Sequence, residues 1–383
     1  MMAKNKATKK KPTADQLEKE VVSRRTKYSE QERENKRLTD KDFVSTGVTR
    51  LNLALTNNKD RGLAKGRYYM FVGDSDTGKS FVLLGVLAEA ANDVNFKDYR
   101  LIYDDVEGGA LMDLSEYFGE NLASKMELPH EDFNGNPCSS ETIEDFYDGL
   151  EYADQIAVEE GKPFIYILDS MDALRSEQAD KQDAENQKMR VAGKDSKGSY
   201  GDGKAKYNSQ HLRKAVHKLQ ATGSILIIVC QSRDDLKSMF SPGTHSGGRA
   251  LKFFATTQIW TKQIKTLAKT VRGTKRKIGI TPKFNITKNR FTGLKHEISF
   301  PIYYSYGVDD TRSCIEYLCA EKEFKKSGGT IKCVGFDFSG TVDKCIDFFE
   351  EDPKRLDQLK DLCQKVWDDI IDSLRLDRPK KYK

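Results

Sequence analysis

Residues 73 to 80 read Gly-Asp-Ser-Asp-Thr-Gly-Lys-Ser, a complete G-x-x-x-x-G-K-[ST] string, between an apolar run at 68–72 and a helix-forming stretch at 79–91. No other feature limits the fold as strongly. A strand must deliver such a loop and a helix must leave it. Only then do the backbone N–H groups of Gly73, Asp74, Ser75, Asp76, Thr77 and Gly78 curl around a phosphate at a positive helix end. Lys79 would supply a point charge to the outer phosphates, and Ser80 a hydroxyl to Mg²⁺. Asp74 and Asp76 oppose an anion unless their side chains point outward.

The surrounding pattern repeats that strand-to-helix logic. Short apolar runs at 68–72, 101–103, 164–168, 225–230 and 258–264 read as strands, and 79–91, 143–159 and 209–221 read as helices between them. Alternating strands and helices predict an α/β fold with a doubly wound, mostly parallel sheet covered on both faces. Polar residues 14–37 hold helix formers with only Leu17, Val21 and Val22 as apolar anchors, so that helix must lean on another surface, such as a neighbouring subunit. Residues 193–206 and 232–248 are glycine-bearing loops without periodicity, both expected on the ligand side of the sheet. From Val342 the tail predicts a short helix, a break at Asp352-Pro353 and a helix to about Leu374, a small helical C-terminal unit.

Three strand ends carry polar residues suited to phosphate chemistry. Phe164-Ile165-Tyr166-Ile167-Leu168-Asp169 is an apolar strand ending in an acid, which places Asp169 to hold Mg²⁺ together with Ser80. The strand at 101–103 leads into Asp105-Val106-Glu107, where Glu107 is placed to activate water as a general base; a solvated loop acid is the alternative. Gln231 ends the next strand, where it could contact a γ-phosphate and pass that information into the loop it opens.

Charge points to a polyanion. Residues 1–40 hold 12 Lys+Arg against 7 Asp+Glu, and 236–296 hold 14 Lys+Arg without a single acid. Each phosphate neutralised releases condensed counterions, so nucleic acid is the obvious partner; lysines solvating exposed strands are the alternative. In that region Leu236, Met239 and Phe240 are expected either against bases or folded into a local core.

No apolar run approaches the roughly 20 residues a spanning helix needs, so a soluble protein with no membrane partner is expected. Seven cysteines, an odd number without a Cys-x-x-Cys pair, suit a reducing cytoplasm.

Taken together, these strings resemble bacterial RecA and its phage relatives such as UvsX, from about Phe43 to Ile371. The likeness begins with Ser45-Thr46-Gly47 and Leu51-Asn52, and passes through the phosphate loop, Asp105-x-Glu107 and Leu168-Asp169-Ser170. It continues with Gln231-x-Arg233, Met239-Phe240, Gly247-Gly248-Arg249-Ala250-Leu251-Lys252-Phe253 and Lys288-Asn289-Arg290. The Gly-Gly-x-Ala-Leu-Lys-Phe string is far more specific than a phosphate loop.

The resemblance implies a RecA-like P-loop ATPase core at 43–305, a basic arm and polymerisation helix at 1–42, and a small C-terminal α+β domain at 306–383. It implies an ATP-bound, Mg²⁺-dependent helical filament on single-stranded DNA that pairs it with homologous double-stranded DNA and exchanges strands. By the same likeness Glu107 is the catalytic glutamate and Gln231 the γ-phosphate sensor, while Lys288 and Arg290 reach a neighbour's ATP. Residues 193–206, with Tyr200, would be the first DNA loop; the second, 232–247, brings Arg233, Leu236, Met239 and Phe240, flanked by Arg249 and Lys252. A single-strand-binding protein and a loading mediator are the further partners implied, and the location is cytoplasmic and DNA-associated.

The chain departs from the bacterial pattern in a longer, more charged stretch after Ser170, in Asp234-Asp235 at the base of the second loop, and in a basic rather than acidic tail, departures that look more phage-like. Two other readings share the ATPase motifs: a ring helicase or translocase, and an ATP-regulated DNA-binding filament protein without strand exchange. Gly247–Phe253 beside Lys288-Asn289-Arg290 speaks against the first, and intact Lys79, Ser80, Glu107 and Asp169 against the second.

Overall fold

Alternate residues of the apolar strands go to opposite faces of one sheet, and both faces are buried. In the computed structural model, which describes residues 38–191, 204–233, 244–245 and 247–379, the strands are β1 (Tyr68–Gly73), β2 (Arg100–Asp105), β3 (Met126–Glu127), β4 (Phe164–Asp169), β5 (Ile225–Cys230), β6 (Thr257–Val271) and β7 (Thr274–Asn289). They lie in the order β7-β6-β1-β5-β4-β2-β3, with β7 antiparallel to β6 and the other six parallel.

Tyr69, Phe71, Tyr103, Ile167 and Val229 pack on one face with α1 (Thr49–Thr56) and α2 (Lys79–Asn92). Their strand neighbours Tyr68, Met70, Ile102, Leu168 and Ile228 pack on the other with α3 (Ile143–Glu159) and α5 (Lys204–Thr222). The doubly wound α/β fold expected from the alternating pattern is therefore the fold observed.

Helix α3 spans the expected residues because Thr142 and Asp145 form a reciprocal capping box. Elsewhere the structure corrects the sequence reading. The strand expected at 258–264 continues to Val271, since β7 pairs with it far beyond the sheet. The loop expected at 193–206 ends earlier and the following helix starts earlier. Helix α5 begins at Lys204, whose ammonium donates to the Leu174 carbonyl at 2.7 Å. A further helix, α4 (Glu177–Val191), precedes it.

After α6 (Arg249–Phe254) and the β6–β7 ribbon come α7 (Asp310–Ala320), α8 (Val342–Glu350) and α9 (Pro353–Ser373). The tail from Val342 is helical as expected, and ahead of it a three-stranded antiparallel sheet at Lys325–Ser327, Thr330–Cys333 and Phe338–Gly340 gives the C-terminal part its expected α+β character. Asp352 caps α9 and Pro353 opens it, where no N–H partner is needed. All seven cysteines are unpaired.

The chain divides into two units, 1–42 and 43–383. In the first, the described residues form a short turn in which the Asp42 carboxylate accepts from the Thr39 N–H and hydroxyl, both at 2.8 Å. The helix expected at 14–37 lies outside the described residues. Among the described residues no helix is long and apolar enough to cross a membrane.

Candidate functional site

The phosphate loop leaves β1 at the carboxyl end of the parallel sheet, where β2, β4 and β5 end beside it. Gly73 is required by its neighbour strand: a Cβ there would lie 2.0 Å from Thr261 Oγ1 and 2.5 Å from the Thr261 carbonyl. Gly78 opens α2 at φ +77° with Ile302 packed close above it, a left-handed position that favours glycine. The loop closes on its own lysine. Lys79 Nζ donates to the carbonyls of Gly73 at 2.9 Å and Asp74 at 2.6 Å, and to Thr77 Oγ1 at 3.3 Å. Thr77 Oγ1 in turn meets Thr261 Oγ1 at 2.7 Å.

Asp74, Ser75 and Asp76 are exposed. The carboxylate of Asp74 is bonded to the Ser232 hydroxyl, which ties the phosphate loop to the start of the loop after β5.

Ser80 and Asp169 meet as the sequence suggested. The Ser80 hydroxyl donates to Asp169 Oδ2 at 2.6 Å, and the Tyr103 hydroxyl donates to the same oxygen at 2.8 Å. Burial raises the Asp169 carboxyl pKa and lowers that of Lys79, each partly opposed by its neighbours. A hydroxyl and a carboxylate side by side are hard oxygen donors, so the pair fits Mg²⁺.

Glu107 follows β2 in a turn held by Asp105, which accepts from the N–H groups of Gly109 at 3.0 Å and Ala110 at 2.9 Å. The Ser170 hydroxyl donates to Glu107 Oε1, and Gln231 Nε2 donates to the same oxygen at 3.0 Å. The backbone N–H of Gln231 is held by Asp172 Oδ2 at 2.6 Å. Three strand ends thus converge on one carboxylate. Sequence reasoning assigned no role to Ser170, Asp172 or Tyr103; the first was open to detection as a hydroxyl directly after a strand-end acid.

Thr77, Lys79, Ser80, Tyr103, Glu107, Asp169, Ser170 and Gln231 line one cavity of about 570 Å³. Gly78, Lys79, Ser80, Glu107, Asp169 and Gln231 form its polar end, while Met112, Ile280, Ile302 and Tyr304 form an apolar side suited to a flat heteroaromatic ring. Apart from Met112, which follows the turn after β2, the apolar side comes from β7 and the segment after it, which no motif marked.

Lys288 and Arg290 do not line this cavity. Lys288 Nζ donates to the carbonyls of Lys252 at 2.7 Å and Phe253 at 2.9 Å, and Arg290 donates to the Phe253 carbonyl at 2.8 Å. Both cations therefore sit on the carboxyl end of α6, where the helix dipole favours positive charge. Burial and the charges of Arg290 and Lys252 push the Lys288 pKa down to about 8. Lys288 pairs with Gln258, which is level with Met70, whereas Gly73 is level with Thr261. Three residues along a strand put the cation about 10 Å back from the phosphate end, two strands away.

Of the expected DNA-loop residues, Arg249 and Lys252 are exposed on α6. Arg233 pairs with Thr244, and Ser232 with His245, in a short antiparallel stem that closes the second loop. Tyr200, Leu236, Met239 and Phe240 lie outside the described residues.

Residues 148–309 match the family model described as the RecA N-terminal domain. The chain is similar to the protein named RecA of Trichormus variabilis, 27% identical over 328 residues that cover 83% of this chain and 79% of the relative. It is likewise similar to a RecA of Clostridium botulinum strain Eklund 17B, 27% identical over 75% of this chain and 70% of that one. A RecA of Geobacter metallireducens is 25% identical over 85% of both.

Proposed function

We propose that the chain is a recombination protein of the RecA family, a DNA-dependent ATPase that assembles on single-stranded DNA as a helical filament, pairs it with homologous duplex and exchanges strands. The observation that carries this reading is the Gln231–Glu107 bond. Gln231 opens the loop expected to hold DNA, and its amide touches the carboxylate expected to act in hydrolysis.

In this reading the phosphate loop and Lys79 hold the triphosphate, and Ser80 and Asp169 hold Mg²⁺. The metal would neutralise phosphate charge. Glu107, oriented by Ser170, takes the proton of the attacking water at Oε1 or Oε2. Gln231 cannot bond both Glu107 and a γ-phosphate with the same N–H, so its choice of partner links nucleotide state to the loop stem at Ser232–Arg233.

Lys288 and Arg290, set back from their own loop, act on the ATP of an adjoining subunit as arginine fingers do. Residues 1–42 serve as the polymerisation arm, 43–305 as the ATPase core, and 306–383 as the C-terminal domain. Arg233, Leu236, Met239, Phe240, Arg249, Lys252 and Tyr200 meet DNA, with a single-strand-binding protein and a loading mediator as partners in the cytoplasm.

Negative-stain microscopy with single-stranded DNA and a slowly hydrolysed ATP analogue, paired with a strand-exchange assay, tests the proposal. Helical filaments and exchanged product are expected. Closed rings, or filaments without product, would replace it with the helicase or the non-exchanging reading.

A further inference from the structure

The β6–β7 ribbon bears a cation that the motifs do not account for. Past the end of β1 the two strands pair as Thr266 with Ile280, Leu267 with Gly279, and then, after a register shift, Ala268 with Lys277. The shift leaves Ile278 as one extra residue in β7. A strand reverses the side of its side chains at each step, so without that extra residue Lys277 would face away from Ile280. With it, Lys277 returns to the face that carries Thr266 and Ile280, and all three line the nucleotide cavity.

Lys277 is exposed and makes no ion pair among the described residues. Among the described residues it is, with Lys79, one of two cations lining a cavity that also presents Asp76, Asp105, Glu107 and Asp169. Its place is at the apolar end, because the flanking Ile278 carbonyl accepts from the backbone N–H of Tyr304 at 3.0 Å. Ile280 and Ile302 there offer only dispersion contact to a ring, and Tyr304 adds a ring face and a neutral hydroxyl, so Lys277 is the charged donor at that end.

We propose that Lys277 is a further nucleotide-contacting residue, donating from the ribbon to the base and ribose end of the bound nucleotide. It rests on the reading of this cavity as a nucleotide site. The contact makes the ribbon, with Lys269, Arg272, Lys275 and Arg276 near its tip, respond to whether nucleotide is bound.

The test measures binding of ADP, of a slowly hydrolysed ATP analogue and of inorganic tripolyphosphate to the full chain, to Lys277→Ala and to Lys277→Arg. Lys277→Ala is expected to weaken both nucleotides roughly tenfold, the worth of one hydrogen bond. Tripolyphosphate binding should stay unchanged, and Lys277→Arg should recover most of the loss. Nucleotide should also slow tryptic cleavage after Lys269 and Arg272 in the wild type but not in Lys277→Ala. Equal affinity of wild type and Lys277→Ala for both nucleotides would overturn the contact while leaving the nucleotide site standing. An equal loss for tripolyphosphate would overturn it in favour of a phosphate contact. A wild type that binds none of the three, like a Lys79→Ala control, would remove the nucleotide site and this proposal with it.

Discussion

Gln231 donates its side-chain amide to Glu107 Oε1 across 3.0 Å, joining the end of β5 to the turn after β2. The same oxygen accepts from Ser170, so the carboxylate is oriented from two strands before any ligand is considered. Glu107→Gln keeps the shape and one acceptor but cannot take a proton. ATP hydrolysis should fall by about 10² to 10⁴-fold while nucleotide binding is kept. Parallel turnover and binding measurements check this; a variant that loses binding as much as turnover would make Glu107 a scaffold residue.

Lys79 belongs to the phosphate loop, and its ammonium is held by the loop's own carbonyls. Lys79→Ala removes one donor to developing charge, and hydrolysis should drop by at least about a hundredfold. Wild-type turnover would contradict the assignment of the loop.

Asp154 faces the layer between α3 and α5 almost wholly buried, with one oxygen lacking a hydrogen-bond partner among the described residues. Burial raises its pKa from 3.8 to about 7, against the opposing charge of Lys218. The unfolded chain releases this proton near pH 4 and the folded chain only near pH 7. Stability is therefore lost as pH rises through that window. Asp154→Asn should flatten the loss and gain on the order of 1 to 3 kcal/mol at pH 8, read by denaturant melts at pH 4 and pH 8. An unchanged difference between the two pH values would show that Asp154 ionises freely.

Much of this was legible in residues 68 to 231. Fully buried parallel strands are continuous apolar runs, and the polar residues where they stop, Asp169 at the end of β4 and Gln231 directly after β5, are visible in the sequence. The pairing of Glu107 with Ser170 was not, because it depends on β2 and β4 lying side by side. Nor was the length of the ribbon, since exposed strands rich in Lys and Thr carry no apolar alternation. The bulge that turns Lys277 toward the cavity is a matter of register. The small sheet at 325–340 was hidden by short strands whose residues are mostly exposed.

Affinity for single-stranded DNA should depend steeply on salt. The acid-free run between 236 and 296 supplies fourteen cations. Four phosphate contacts among them would give a slope of log affinity against log salt of about −3. Titrations between 50 and 300 mM salt, on the order of the range in which such slopes are read, check this. A flat dependence would return these lysines to the role of a solvated face.

The central claim is that one subunit's phosphate loop works with another subunit's Lys288 and Arg290. The structure sets both cations on the carboxyl end of α6, away from their own cavity. The direct measurement is DNA-stimulated ATP hydrolysis by mixtures of Lys79→Ala subunits with Lys288→Ala/Arg290→Ala subunits, since a mixed interface can join an intact loop to intact cations. The account predicts turnover in the mixture above that of either variant alone, highest near equal proportions. Filaments that form normally from the mixture and hydrolyse no faster than the single variants at any ratio would contradict it.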